Sequence, residues 1–260
     1  MTAPDGPVRN SAPGTMTSWW SLLRRPTGSR PGPRRRLLVL PHSAAGPTAL
    51  LDVLTSVPQD VEVLGLTLPG RGRRFVEPPG CTLDEVLESV RAELAQPQVE
   101  TVLFGHSLGA VLAFHVARAL GSGCKALVIS GQVPGGCSPV LGARTSEELL
   151  DVLVTGGGTA AEVMENPALL KVVTRILAAD VALGAEASAR EETLRATAPL
   201  FVLGAVEDPL APYARMTDWA DRTTGTCRVF PLRGGHFALL EQRNRDLVAD
   251  VLDRALRQAA

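Results

Sequence analysis

Residues 100–120 read Glu-Thr-Val-Leu-Phe-Gly-His-Ser-Leu-Gly-Ala-Val-Leu-Ala-Phe-His-Val-Ala-Arg-Ala-Leu, and the fold is decided there. Glu100 to Phe104 has the length and apolar, β-branched character of a buried strand, and Leu108 to Leu120 is apolar at helical period. Between them lies Gly105-His106-Ser107-Leu108-Gly109, a G-x-S-x-G pentapeptide at a strand-to-helix turn. Its glycines let the backbone turn sharply, which exposes the Ser107 hydroxyl and leaves the Leu108 N–H free at the helix N-terminus for an oxyanion.

Outward from that turn, Val- and Leu-rich runs alternate with longer segments of helical period from Arg36 onward, the pattern of βαβ units and a parallel sheet. The spacing predicts strands at 36–40, 61–66, 100–104, 125–130, 200–203 and 227–231, and helices at 47–57, 82–95, 108–120, 211–221 and 239–258. Thr82 and Glu85 have capping-box spacing at the start of one helix. Nearly seventy residues then separate the strand ending at Ser130 from the one starting near Leu200, where a single crossover helix would suffice. A helical insertion over about 133–195, opened by a second capping box at Thr145 to Glu148, reads as a lid over the active edge or as a structural subdomain. The fold class is therefore α/β, a mostly parallel central sheet flanked by helices with a helical lid insertion.

With 260 residues, 45% of them apolar, the chain can bury a substantial core, and 35–260 reads as one domain. Residues 1–34 carry scattered Pro, Gly, Ser and Arg without period and read as a disordered or loosely docked arm, tacked on by Trp19 and Trp20. Its apolar runs are too short for a signal peptide or a membrane span. A formal net charge of −1 removes the basic field a nucleic-acid binder needs. Cys81, Cys124, Cys137 and Cys227 lie far apart with no metal-ligand spacing, and read as reduced, buried thiols of a cytoplasmic protein.

A serine hydroxyl is a weak nucleophile that needs an adjacent base, with a third group to fix the base's tautomer. His42 follows the first strand, His106 lies inside the pentapeptide, and His115 sits among apolar neighbours in the next helix. His236, in Arg233-Gly234-Gly235-His236-Phe237 between the last strand and the last helix, is the candidate base; otherwise it caps that helix. For the acid, the loop Gly204 to Pro209 offers Asp208 ahead of Glu207, with Asp180 behind both. The order Ser107, Asp208, His236 is the Ser…Asp…His order of α/β-hydrolases. Pro41 to Gly46 is the expected source of the second oxyanion donor, the Ser43 N–H, unless the Ser43 hydroxyl caps the helix that follows. Arg71, Arg73 and Arg74 follow the second strand at the same edge, where they suit a phosphate or an acidic protein, or else form a solvated turn.

Taken together, these motifs resemble the type II thioesterases of polyketide and nonribosomal peptide synthesis, from about Leu37 to the last helix. Pro41 to Ala45, Pro69 to Arg74, Gly105 to Ala110, Glu207-Asp208-Pro209 and Gly234 to Phe237 match that family's motifs in order. The resemblance implies a Ser107, Asp208, His236 triad with the Ser43 and Leu108 N–H groups as oxyanion hole. It also implies hydrolysis of acyl thioesters from the phosphopantetheine arm of an acyl carrier protein or peptidyl carrier domain, with no metal or other cofactor and no membrane partner. Ala44 and Ala45 depart from the usual glycine pair, and Ala178-Ala179-Asp180-Val181 stands where the family has Arg-Ala-Asp-Phe. Competing readings are an esterase or acyltransferase acting on free small molecules, and a binding protein that no longer catalyses.

Overall fold

The computed structural model describes residues 18–27, 34–94, 98–136, 145–157, 161–191 and 194–259. Its strands are β1 (Trp20–Arg24), β2 (Arg35–Leu40), β3 (Glu62–Leu66), β4 (Glu100–His106), β5 (Cys124–Ser130), β6 (Leu200–Ala205) and β7 (Cys227–Leu232). Its α-helices are α1 (Leu83–Leu94), α2 (Leu108–Leu120), α3 (Ser146–Gly156), α4 (Ala161–Glu165), α5 (Pro167–Glu191) and α6 (Arg245–Leu256). The strands form a sheet in the order β1-β3-β2-β4-β5-β6-β7, with β1 antiparallel to β3 and the other pairs parallel. The fold is that of an α/β-hydrolase, as the sequence pattern predicts.

Both faces of the inner strands are covered, and their two-residue alternation divides the core. Leu38, Leu40, Leu103 and Leu127 pack with α1 and α2, whereas Leu37, Val39, Phe104 and Val128 pack with α6 on the other side. This is why β2, β4 and β5 read as continuous apolar runs. Each fully buried Leu or Phe contributes about 1.5–3 kcal/mol.

Two expected helices, 47–57 and 211–221, are 3-10 helices at Pro47–Ser56 and Tyr213–Arg222. Buried residues recur every three positions, Pro47, Leu50 and Val53 in the first, with Leu54 buried beside them, and Met216 and Trp219 in the second. That spacing fits the eclipsed side chains of a three-residue turn.

The N-terminal arm needs correction over its described part, because Trp20–Arg24 is an edge strand rather than a loose segment. The Trp19 N–H donates to Glu93 Oε1 at 2.8 Å, Trp20 Nε1 to Ser89 Oγ at 3.1 Å, and Arg24 Nη2 to the Pro58 carbonyl at 2.8 Å. Residues 1–17 and 28–33 of the arm lie outside the described residues.

Between β5 and β6 the chain runs through α3, α4 and α5. Thr145 makes the expected capping box with Glu148, and Asn166 caps α5 through its side chain with Pro167 next in line. Leu149, Leu177 and Val181 form a small apolar cluster of their own. Residues 137–144, 158–160 and 192–193 of this interval, Cys137 included, lie outside the described residues. Cys81, Cys124 and Cys227 are free thiols; Cys124 is buried, and the other two are only half-buried. Among the described residues no helix is long and apolar enough to cross a membrane.

Candidate active site

Because β2 to β7 run parallel, the loops that leave their C-terminal ends share one edge of the sheet. Ser107 leaves β4 there at φ 54° and ψ −119°, a conformation foreign to side-chain-bearing residues that costs on the order of 1–3 kcal/mol. Its N–H donates to the Ser130 carbonyl at 2.8 Å and its carbonyl accepts from the Ala110 N–H at 2.9 Å. Serine at the head of a helix ordinarily caps with its hydroxyl, but Ser107 makes no such bond. It lines a cavity of about 300 Å³ instead.

His236 lines the same cavity, and its Nδ1 lies 2.8 Å from Asp208 Oδ2. The other Asp208 oxygen accepts the Leu210 and Ala211 N–H groups at 2.8 and 3.1 Å, which fixes the carboxylate in a loop where its side chain has no exposed surface. An ionised carboxylate only accepts, so Nδ1 is the nitrogen that carries a proton toward Asp208, and in the neutral imidazole the free lone pair is on Nε2. Glu207 is exposed, and Asp180 is engaged elsewhere, so Asp208 is the carboxylate joined to His236. Gly234, at φ 113°, makes the turn that delivers the imidazole. Asn244 steadies it by accepting the Arg233 N–H at 3.1 Å and donating to the Arg233 and Ala238 carbonyls at 2.9 and 2.8 Å.

Ser43 lines the cavity from the β2 loop. Gly46, not Ser43, heads the 3-10 helix that follows, and no side chain caps it. The Leu108 N–H is the first of α2 and has no partner inside its own helix.

Two further histidines crowd the site. His106 is fully buried beneath the elbow, 5.0 Å from the His236 ring, and its Nδ1 lies 3.2 Å from the Ser130 carbonyl. Burial, with the neighbouring His236 and His42, holds its pKa well below the usual imidazole range. His42 packs edge-on against Phe237 at 4.8 Å, and burial first, then His236 and Arg71, push it down to about 4. Both rings are neutral near pH 7. His42 and Asn244 escape sequence reasoning, since their roles depend on contacts made in the fold. His115 is a core residue, its Nε2 2.8 Å from the Ala187 carbonyl on α5.

The inserted helices supply the remaining walls: Val152 and Leu153 from α3, Val163 from α4, Val173 and Leu177 from α5. The cavity is thus apolar apart from His42, Ser43, Ser107 and His236.

The arginine loop is corrected. Arg71 is buried, donating from Nη2 to Asp180 Oδ1 at 2.6 Å and from Nη1 to Oδ2 at 2.7 Å. Arg74 is buried too, bonded to Glu77 and the Thr67 carbonyl, with its guanidinium 3.9 Å from the centre of the Trp19 ring. Arg73 alone of the three is exposed, donating to the Ser18 carbonyl at 2.9 Å. Arg71 and Arg74 therefore hold the fold together and do not form a surface for a partner.

Residues 35–256 match the family described as Thioesterase domain. Thioesterase PikA5 of Streptomyces venezuelae is 28% identical over 229 residues, spanning 85% of this chain and 81% of that protein. Gramicidin S biosynthesis protein GrsT of Aneurinibacillus migulanus is 25% identical over 218 residues, 80% of this chain and 84% of that one. Among solved structures, the type II thioesterase BorB from the borrelidin biosynthetic cluster superposes with a TM-score of 0.74 at 28% identity, covering 93% of this chain and 98% of its own. The matched span runs from the first residue of β2 to the last of α6, and the chain accordingly belongs to the thioesterase domain family, as a thioester hydrolase on the α/β-hydrolase fold.

Proposed function

We propose that the chain clears acyl groups from the phosphopantetheine arm of an acyl carrier protein or peptidyl carrier domain, with Ser107, His236 and Asp208 as catalytic triad. The observation that carries this reading is the convergence of the strained Ser107 turn and the His236–Asp208 pair on one apolar cavity beneath α3 to α5. Those helices act as the lid.

Ser107 Oγ attacks the thioester carbonyl while His236 Nε2 takes its proton. The carbonyl electrons move to oxygen, and the Ser43 and Leu108 N–H groups stabilise the charge. Collapse of this intermediate breaks the C–S bond; the pantetheine sulfur leaves with the proton from His236, and the acyl group remains on Ser107. Water then repeats the cycle, giving up a proton to His236 as it attacks, and the free acid departs as that proton returns to Ser107. Asp208 holds the imidazole in the required tautomer throughout and supports its positive charge.

The test is hydrolysis of acyl groups of graded length presented on a carrier domain, on free pantetheine and as simple esters. A higher kcat/KM on the carrier than on pantetheine is expected, with loss of at least about a thousandfold in Ser107→Ala. Equal rates on simple esters would make the chain an esterase, and an ester or amide product in the presence of alcohols or amines would make it an acyltransferase.

A further inference from the structure

The Asp180 carboxylate has a second contact besides Arg71. Its Oδ2 also accepts the Ala44 N–H at 2.7 Å, while Arg71 Nη1 reaches the Ala45 carbonyl at 3.4 Å. Ala44 stands at φ 62°, a left-handed conformation that an alanine keeps only when its surroundings impose it. It directly follows Ser43, so the same turn that hands the Ala44 N–H to Asp180 sets the direction of the Ser43 N–H beside the cavity. The Ala44 side chain also packs against the cluster of Leu149, Leu177 and Val181. Asp180, Leu177 and Val181 all lie on α5, and Leu177 walls the cavity. The lid helix thus grips the oxyanion loop by one polar and one apolar contact at the same residue.

We propose that Asp180 is a positioning residue that couples the lid to the oxyanion hole, aiming the Ser43 N–H at the reacting carbonyl only while α5 is seated. This rests on the reading of the Ser43 N–H as an oxyanion donor. If α5 lifts, the Ala44 N–H and the Arg71 guanidinium lose their acceptor together, and only the local bond from the Ala45 N–H to the His42 carbonyl, at 3.2 Å, is left to hold Ala44 in its left-handed turn. Arg71 serves to keep a carboxylate oriented in a place where burial makes a lone charge costly. A thioester would therefore meet a complete oxyanion hole only after the cavity has closed over its acyl chain.

Single replacements at either residue would leave a buried charge unpaired and endanger folding, so two neutral double variants make the test. Arg71→Met with Asp180→Asn keeps an oxygen for the Ala44 N–H, whereas Arg71→Met with Asp180→Leu removes it. Expected are similar melting temperatures, a kcat on an acyl-pantetheine thioester at least about tenfold lower in the leucine variant, and KM within about twofold. Affinity for a trifluoromethyl ketone, whose tetrahedral adduct on Ser107 places an oxyanion at the same point, should fall by the same factor. Equal kcat and equal ketone affinity in the two variants would overturn the proposal, as would a loss that follows melting temperature rather than kcat. Should the unaltered chain hydrolyse no thioester at all, the proposed function would fail while ketone affinity still tested the coupling.

Discussion

Gly109 and Leu40 meet backbone to backbone: a Cβ on Gly109 would lie 1.9 Å from the Leu40 carbonyl oxygen and 2.6 Å from that of Pro41. The elbow helix α2 therefore rests directly on the end of β2, and Leu40 leads into the loop that carries Ser43. No rotamer relieves such a clash, so Gly109→Ala must drive the two backbones apart. The expected cost is about 3 kcal/mol or more, or a fall in melting temperature of about 6 °C or more, with turnover lost alongside. An unchanged urea midpoint would show that α2 has room to shift.

Ser107 carries strain that its side chain requires and glycine would not. At φ 54° and ψ −119° the backbone sits in a region glycine occupies freely. Ser107→Gly and Ser107→Ala should both be inactive, yet the glycine variant should be the more stable by about 1 kcal/mol. Chemical denaturation of the two variants side by side decides it, and an alanine variant of equal or greater stability would mean the turn is not strained.

How far the sequence could be read follows from how local each signal is. The β4 strand, the pentapeptide and the first turns of α2 are contiguous, so composition and period locate Ser107 without tertiary knowledge. Asp208, His236 and Ser43 are legible for a related reason: each lies in a loop after a strand of a parallel sheet, and such loops share one edge. The Arg71–Asp180 pair spans 109 residues and exists only because α5 folds back over the β2 loop, so no spacing announces it. For the same reason three nearby arginines read as a surface, when two of them are buried. β1 escapes because Trp20–Arg24 has no clean alternation to mark it as a strand.

Asp208→Asn should reverse the His236 tautomer. The Asn oxygen can stay on the Leu210 and Ala211 N–H groups, where Oδ1 now sits, which leaves its NH2 facing His236 Nδ1. Nδ1 must then accept, so the proton moves to Nε2 and the nitrogen needed as base is blocked. A loss of about 10³–10⁴ in kcat is expected with the fold intact. Glu207→Gln, at an exposed position, should stay within about twofold of the parent. The reverse order in steady-state assays would move the acid by one residue.

Gly156 ends α3 at the cavity wall, and a Cβ there would sit 3.4 Å from Leu210 Cδ1 and 3.8 Å from Phe237 Cε2. A methyl group just fits, whereas the branched side chain of Gly156→Val must take volume from the cavity. Long acyl thioesters should lose kcat/KM by about tenfold or more, and acetyl and propionyl thioesters should change little. A uniform loss across chain lengths would place the acyl chain elsewhere.

The His42 pKa of about 4, set first by burial and then by His236 and Arg71, has a consequence for stability against pH. In the unfolded chain this imidazole titrates near its ordinary value of about 6.5, so between about pH 6.5 and 4 the unfolded state binds the extra proton. Stability must fall as pH drops through that window, because the folded state has to shed or exclude a proton that the unfolded state keeps. A shift of this size corresponds to roughly 3 kcal/mol once both pKa values have been passed. His106, depressed in the same direction by its own burial, adds to the slope. His42→Gln cannot take up a proton in either state, so its urea midpoint should fall less between pH 7 and pH 4.5 than that of the parent. Midpoints that fall equally in the two proteins would mean that His42 is protonated in the folded chain well above pH 4.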